Sequence, residues 1–244
     1  MKADSKKPII FSWSGGKDSA LALYRLQQSG QYDIRALVTT VNSKYGRVSA
    51  HGVREELMTA QASAIGLPLS IVYLSEGSME EYNDCLRAHF QQFKDAGIET
   101  VAYGDIFLED LKTYRDDFLA ELGMEGVYPL WKEDTGELIA EFMTAGFRTY
   151  ICCVNDAWFD ASHVGIPLDE AFLAALPENV DVCGENGEFH SFCVGGPIFK
   201  QPVSIQIGEK VYKPLNLGPN ADPDTYGPTK GFWFCDLLMV EGEN

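Results

Sequence analysis

Ile9-Ile10-Phe11-Ser12-Trp13-Ser14-Gly15-Gly16-Lys17-Asp18-Ser19 is the stretch that decides the fold. An apolar, β-rich run from Pro8 to Ser14 enters a Gly-Gly turn. It then meets a segment, Lys17 to Ser29, whose Ala20, Leu21, Leu23, Tyr24 and Leu26 make one apolar stripe at helical spacing, ended by Gly30. A strand, a glycine turn and a helix start together suit phosphate. Glycines let the backbone approach an anion, the N–H groups of the first helical turn point at it, and the helix dipole adds favourable potential. Lys17 adds a full positive charge, Ser14 and Ser19 add hydroxyl donors, and Asp18 is available to hold a magnesium ion. Ser12, Ser14, Gly15, Gly16, Lys17, Asp18 and Ser19 are therefore the candidate nucleotide-binding residues. The mononucleotide P-loop pattern does not fit, because it needs glycine at Phe11 and serine or threonine at Asp18. A tight strand–helix turn with no ligand is the competing reading.

Outward from this loop, β-rich runs alternate with helical patterns. Ile34 to Val41 reads as a second strand, Gly52 to Ile65 as a helix ended by Gly66, and Leu69 to Leu74 as a third strand. Glu80 to Ala96 reads as a long helix and Thr100 to Ile106 as the next strand. Such alternation predicts an α/β fold with a doubly wound, mostly parallel sheet. Beyond Gly123 the pattern changes, with a helix near Gly136 to Ala145 and a very apolar strand at Thr149 to Val154. From Val180 the chain is rich in glycine, proline and β-formers. Strands are predicted at Phe189 to Val194, Val203 to Ile207, Lys210 to Lys213 and Phe232 to Val240, with Gly208-Glu209 as a hairpin turn and Gly218 to Lys230 as a surface loop. We divide the chain into residues 1–126, carrying the nucleotide loop, and a smaller C-terminal α/β part, 127–244, that closes the acceptor side.

The 244 residues are 45% hydrophobic, ample for a packed core, and contain no apolar run long enough for a membrane helix and no signal-peptide pattern. Cytoplasm is the expected location. Nineteen basic against thirty-six acidic residues give a net charge of −17, which argues against a broad nucleic-acid or anionic-lipid surface. It does not exclude a nucleotide pocket built from local N–H groups and one lysine. Cys85, Cys152, Cys153, Cys183, Cys193 and Cys235 form no Cys-x-x-Cys pair and read as buried free thiols. The sequence leaves room for a homo-oligomer.

A second constellation, Cys183-Gly184-Glu185-Asn186-Gly187-Glu188-Phe189-His190-Ser191, brings two carboxylates and an imidazole into a short span. In a strand, Glu188 and His190 share a face. Glu185, Glu188 and His190 are candidate catalytic residues beside Lys17, able to orient an acceptor, ligate magnesium or move protons. The bland alternative is a polar hairpin with solvated carboxylates.

Ser14-Gly15-Gly16-Lys17-Asp18-Ser19 resembles the PP-loop of the N-type ATP pyrophosphatases. Together with Tyr103-Gly104-Asp105-Ile106, Tyr128-Pro129-Leu130-Trp131, the Gly184 to His190 run and Gly196-Pro197-Ile198-Phe199, it resembles the diphthine–ammonia ligase family across residues 9 to about 199. Ser191 and Gly195 stand where threonine and aspartate are expected. The resemblance implies a Rossmann-like PP-loop domain that binds ATP with Mg2+. A carboxylate on an acceptor, in that family a modified protein side chain, is adenylated with release of pyrophosphate, and ammonia then gives an amide and AMP. It further implies that Glu185, Glu188 and His190 line the acceptor side of the ATP cleft, facing the α-phosphate.

Weaker candidates complete the site. His51 precedes a helix downstream of the second strand and could approach the nucleotide; Gly104 and Asp105 follow a strand on the same sheet edge, with Asp105 a second candidate magnesium ligand. Arg115 could face a substrate anion or make a helix ion pair with Asp116 or Glu121. Two other functions compete. A tRNA-modifying PP-loop enzyme should carry a basic face or paired cysteines, and a non-catalytic adenine-nucleotide sensor should not need Lys17-Asp18 together with Glu185, Glu188 and His190.

Overall fold

The computed structural model describes residues 6–48, 51–75, 79–215 and 228–240. The first half runs β1 (Lys7–Ser12), α1 (Lys17–Ser29), β2 (Tyr32–Asn42), β3 (Arg47–Val48), α2 (Glu55–Ile65), β4 (Leu69–Leu74), α3 (Met79–Asp95), β5 (Thr100–Ala102), α4 (Glu109–Glu121) and β6 (Glu125–Val127). The parallel strands lie in the order β4-β2-β1-β5-β6, and the two-residue β3 pairs antiparallel with the far end of β2. Counted along the chain, the parallel strands are ordered third, second, first, fourth, fifth. The chain therefore crosses from one side of β1 to the other between β4 and β5. In an open α/β sheet the crevice at the carboxyl ends of the two strands flanking that crossing is where ligands bind. Here those ends are Ser12 of β1 and Ala102 of β5.

Burial on both faces explains why β1 reads as a continuous apolar run. Ile9 and Phe11 join the core shared with α1 and α2, while Ile10 joins Phe90 of α3 and Phe118 and Leu119 of α4 on the opposite face. All three β1 side chains are fully buried, and each such burial is worth roughly 1.5–3 kcal/mol. The helices on both faces make the sheet doubly wound, as the sequence predicts.

The second half contains α5 (Thr135–Thr144), β7 (Arg148–Asn155), a 3₁₀ turn at Ala161–His163, α6 (Glu170–Ala174), β8 (Phe189–Gly195), β9 (Ile205–Pro214) and β10 (Gly231–Met239). Its four strands form a separate antiparallel sheet in the order β8-β7-β10-β9. This sheet touches the first half through β8 against α1 and β10 against α2, and Phe189, Phe192 and Cys193 belong to the same core as Ile9 and Phe11.

Three sequence expectations change. No turn exists at Gly208-Glu209: β9 is one continuous strand, paired with β10 along its length, and Gly208 lies near the register slip between Cys235 and Leu237. The glycine marks an irregularity in a strand, not the end of one. The strand predicted over Thr100 to Ile106 stops at Ala102. The helix predicted from Gly52 begins at Glu55, because the preceding residues pair back on β3. The predicted loop at Gly218 to Lys230 lies largely outside the described residues. All six cysteines are free, and five of them are buried.

Candidate active site

The loop between β1 and α1 is held from three directions. Gly15 has φ +80°, a conformation open to glycine, and a side chain there would meet the Gln61 amide oxygen at 2.8 Å. Gln61 is fully buried on α2: it accepts from the Trp13 indole N–H at 2.9 Å and donates to the Gly15 carbonyl at 3.0 Å and the Cys193 carbonyl at 2.5 Å. From the second sheet, the Cys193 N–H donates to the Gly15 carbonyl at 2.8 Å, and the Lys17 N–H donates to the Ser191 hydroxyl at 3.2 Å. Within the loop the Ser14 and Ser19 hydroxyls bond at 2.8 Å, and the Gly16 N–H donates to Ser14 Oγ at 3.2 Å. On the third side Gly104 presses on the start of α1. A Cβ there would lie 2.9 Å from the Ser19 nitrogen and 3.0 Å from the Asp18 carbonyl carbon.

A cavity of about 450 Å³ opens over this loop, within the range of small-molecule sites. Ser12, Ser14, Lys17, Asp18 and Ser19 line it together with His51, Gly104, Asp105, Glu185 and His190. Gly15 and Gly16 form the bend beneath it. Lys17 is buried and its Nζ lies 2.8 Å from Asp18 Oδ2 and 5.3 Å above the Phe189 ring. Burial alone would lower the lysine pKa; Asp18, Cys183 and Glu185 more than offset this, so Lys17 stays protonated, above its usual value.

Glu185 reaches the cavity because its loop folds on itself. The Asp181 carboxylate accepts from the Cys183 and Glu185 N–H groups at 2.9 and 3.3 Å and from the Thr135 hydroxyl at 2.7 Å. This aims Glu185 Oε1 at the N–H groups of Ile106 and Phe107, at 2.8 and 3.3 Å. Desolvation pushes its carboxyl up to about 7, against the pull of the Ile106 N–H and with the help of Asp18. A carboxyl titrating near neutrality can take or return a proton at physiological pH.

Glu188 has a different place. It is buried, is absent from the cavity wall, and its Oε1 accepts from the Asp181 N–H and the Asn186 amide, both at 3.1 Å. It organises the loop that presents Glu185. His190 does line the cavity, but burial, His51 and Lys17 push its pKa down to about 3, so the near-neutral titration that would make it a proton carrier at pH 7 is absent. His51 donates through Nδ1 to the Ser191 carbonyl at 3.0 Å, which leaves Nε2 unprotonated, and its ring lies 4.8 Å from that of His190. Burial, chiefly, pushes its pKa down to about 4.

Asp105 faces the cavity already paired. Arg115 Nε and Nη2 approach its two oxygens at 3.0 and 3.1 Å, and the guanidinium lies 4.2 Å over the Tyr103 ring. Arg115 thus pairs with Asp105, not with Asp116 or Glu121. Among the described residues no group of three or more His, Cys, Asp or Glu gathers to hold a metal ion. Magnesium takes few protein ligands when phosphates and water supply the rest, so Asp18 fits as one ligand. Asp18 meets Lys17 through one oxygen, whereas both oxygens of Asp105 face the Arg115 guanidinium, so Asp105 does not fit in that state. Gln61, Ser191 and Cys193 are the site residues that sequence reading missed. Only the strand–helix pattern around Gln61 offered any signal, since a buried amide on an apolar helix face needs partners.

Fold, loop and cavity together define a doubly wound α/β protein whose β1–α1 glycine turn opens on a small-molecule-sized cavity. Two family models match: the diphthamide synthase N-terminal domain over residues 7–126 and the diphthamide synthase C-terminal domain over residues 134–217. The chain belongs to the diphthamide synthase family, and it is an enzyme of the ligase class. A diphthine–ammonia ligase from Danio rerio is 24% identical over 219 residues, which cover 81% of this chain and 86% of that one. Another from Bos taurus is 27% identical over 149 residues, 59% of this chain and 53% of its own length. Among solved structures, the U34-tRNA thiolase NcsA from Methanococcus maripaludis, with its [4Fe-4S] cluster, has a TM-score of 0.35 at 17% identity, covering 57% of this chain and 56% of that one. No helix among the described residues is long and apolar enough to cross a membrane.

Proposed function

We propose that this chain is an ATP-dependent amide-forming ligase that adenylates a carboxylate and transfers ammonia to it, on an acceptor of the diphthine type. The observation that carries the reading is that one cavity joins the Lys17 loop to Glu185, so an anion site and a neutral-range proton acceptor face the same space. In the first step an acceptor carboxylate oxygen attacks the α-phosphorus of ATP, the bond to the β-phosphate breaks, and pyrophosphate leaves. In the second, ammonia attacks the acyl carbon, AMP leaves, and one proton is lost from nitrogen.

The loop residues 14–19 hold the departing pyrophosphate: Lys17 turns from Asp18 to the phosphate oxygens, and first-turn N–H groups and the Ser14 and Ser19 hydroxyls donate to them. Asp18, released from Lys17, is the protein ligand for magnesium entering with the nucleotide. When bound, that ion shields the charge of the leaving pyrophosphate. Glu185 holds ammonium beside the acyl adenylate, takes one proton from it to free the attacking ammonia and passes that proton to solvent. The second proton, lost from nitrogen as the C–N bond forms, is then accepted by the same carboxylate. His51 and His190, both neutral, border the cleft without adding charge beside the ammonia that is left once ammonium has given up a proton. Asp105 and Arg115 form a matched pair at the acceptor end; an acceptor carboxylate can exchange with Asp105 on the guanidinium.

The test is to incubate the protein with ATP, magnesium, ammonium and candidate acceptors and to follow both nucleotide and acceptor. The expected products are AMP, pyrophosphate and an acceptor in which a hydroxyl has been replaced by an amide nitrogen. ADP as the sole nucleotide product excludes the proposal.

A further inference from the structure

Strand β10 belongs to the second sheet, yet its side chains grip the segment that carries His51. Asp236 Oδ1 accepts from Arg47 Nη1 and Arg54 Nε, both at 2.9 Å, and Oδ2 accepts from Arg54 Nη2 at 2.6 Å. Arg47 Nη1 also donates to the Gly52 carbonyl at 2.7 Å. Two residues before Asp236 on the same strand, Phe234 lies so close beneath Gly52 that a Cβ there would sit 2.7 Å from its ring. The two arginines stand on either side of His51 in sequence, and the Val48 N–H to Val53 carbonyl bond at 2.9 Å closes the segment between them. His51 in turn lies against the phosphate loop: a Cβ on Gly16 would be 2.9 Å from His51 Cε1.

We propose that Asp236 is a positioning residue for the active site, fixing the His51 imidazole against the phosphate loop through Arg47 and Arg54. The inference rests on the nucleotide reading of the loop. A carboxylate shared by two guanidiniums is far better specified than an exposed single ion pair, because both its oxygens are used and the fork geometry admits one arrangement. The Arg54 and Arg47 bonds hold its pKa down to about 2, so the clamp persists across the working pH range. Without it, the contact of β10 with residues 51–54 shown by the described residues reduces to the Phe234 ring beneath Gly52, and the His51 ring would be held less firmly against the Ser191 carbonyl and Gly16.

Two measurements on the full chain test this. The first is the histidine side-chain 15N spectrum, which needs no nucleotide. In the wild type, His51 gives the pattern of a neutral ring protonated on Nδ1, and in Asp236→Asn that pattern is expected to average between tautomers. The second is a double-mutant cycle on ATP affinity. His51→Ala and Asp236→Asn are each expected to weaken binding about five- to tenfold, the worth of one net hydrogen bond. The double variant is expected to be no weaker than His51→Ala alone. Losses that multiply, or an unchanged His51 spectrum in Asp236→Asn, overturn the proposal. Arg54→Gln removes two of the three bonds to Asp236 and leaves the Arg47 bond to the Gly52 carbonyl; it should move the spectrum in the same direction, so it serves if Asp236→Asn does not fold. A wild type that fails to bind ATP overturns the nucleotide reading instead, and the spectrum still decides whether Asp236 positions His51.

Discussion

Replacing Gln61 by leucine removes a side chain that ties the β1–α1 loop, at Trp13 and Gly15, to Cys193 of β8. Three hydrogen bonds disappear: from Trp13 Nε1 at 2.9 Å, to the Gly15 carbonyl at 3.0 Å and to the Cys193 carbonyl at 2.5 Å. Their losses are unequal. The Gly15 carbonyl keeps the Cys193 N–H at 2.8 Å, whereas the Trp13 indole N–H, on a residue 2% exposed, is left with no acceptor in this arrangement. An unsatisfied buried donor costs about 1–3 kcal/mol and each net bond lost about 1 kcal/mol. Leucine recovers part of this as an apolar side chain of similar size, so the expected loss is about 2–4 kcal/mol. For a chain of this length that lowers the unfolding midpoint by roughly 5–15 °C, at about 2–4 °C per kcal/mol. Gln61→Glu discriminates further: it keeps an acceptor for Trp13 but puts a carboxylate against two carbonyl oxygens, and should be at least as damaging. Urea unfolding measures the stability and calorimetry the ATP affinity, which is expected to fall in both variants. A Gln61→Leu protein within about 0.5 kcal/mol of the wild type would refute this account of how the loop is held.

Lys17→Ala should lower AMP formation at least about tenfold, since a lost charge-assisted phosphate contact costs on the order of 1.5–3 kcal/mol; steady-state turnover checks it. Gly104→Ala places a methyl 2.9 Å from the Ser19 nitrogen, against backbone that cannot swing away. It should cost about 1–3 kcal/mol in stability and weaken ATP binding, with retained affinity in calorimetry as the contrary result. Glu185 must be ionised to accept a proton, so turnover should rise with pH through about 7, and Glu185→Gln should lose that limb while still accepting from the Ile106 N–H. Because the folded state raises this pKa above its usual 4.5, the carboxyl costs stability as pH rises from there through about 7. Glu185→Gln should therefore be as stable as the wild type or more so at pH 8, measured by thermal unfolding.

The elements legible in the sequence were those whose signal is local. β1, α1 and β4 are marked by continuous apolar runs, a helical stripe and glycine stops, and the structure places them within a residue or two of expectation. Two-residue β3 is too short for any period, and α4 buries only Phe118 and Leu119, too narrow a stripe to stand out. Gly208 misled because a glycine between β-formers signals a turn and a strand irregularity alike. The glycine turn between β1 and α1 was readable because its residues are contiguous. The Lys17 to Ser191 bond joins residues 174 apart, and such tertiary partners leave no trace in local spacing. Nor could spacing tell Glu185 from Glu188: three positions apart, one is aimed at a cavity and the other ties up its own loop. The depressed basicity of His51 and His190 comes from burial, which only the folded chain supplies.

The bonds from Ser191 and Cys193 to the loop at Lys17 and Gly15 also set an order of events during synthesis. The first strand and helix leave the ribosome early, but the segment that fixes their connecting turn emerges after roughly four-fifths of the chain has been made. At about 5–20 residues per second that is a delay on the order of ten seconds or more. Through that interval Gln61 and Gly104 already pack on the turn but its β8 partners are missing, so its affinity for nucleotide should be low. A nascent chain stalled before Phe189 should bind ATP poorly however complete its parallel sheet.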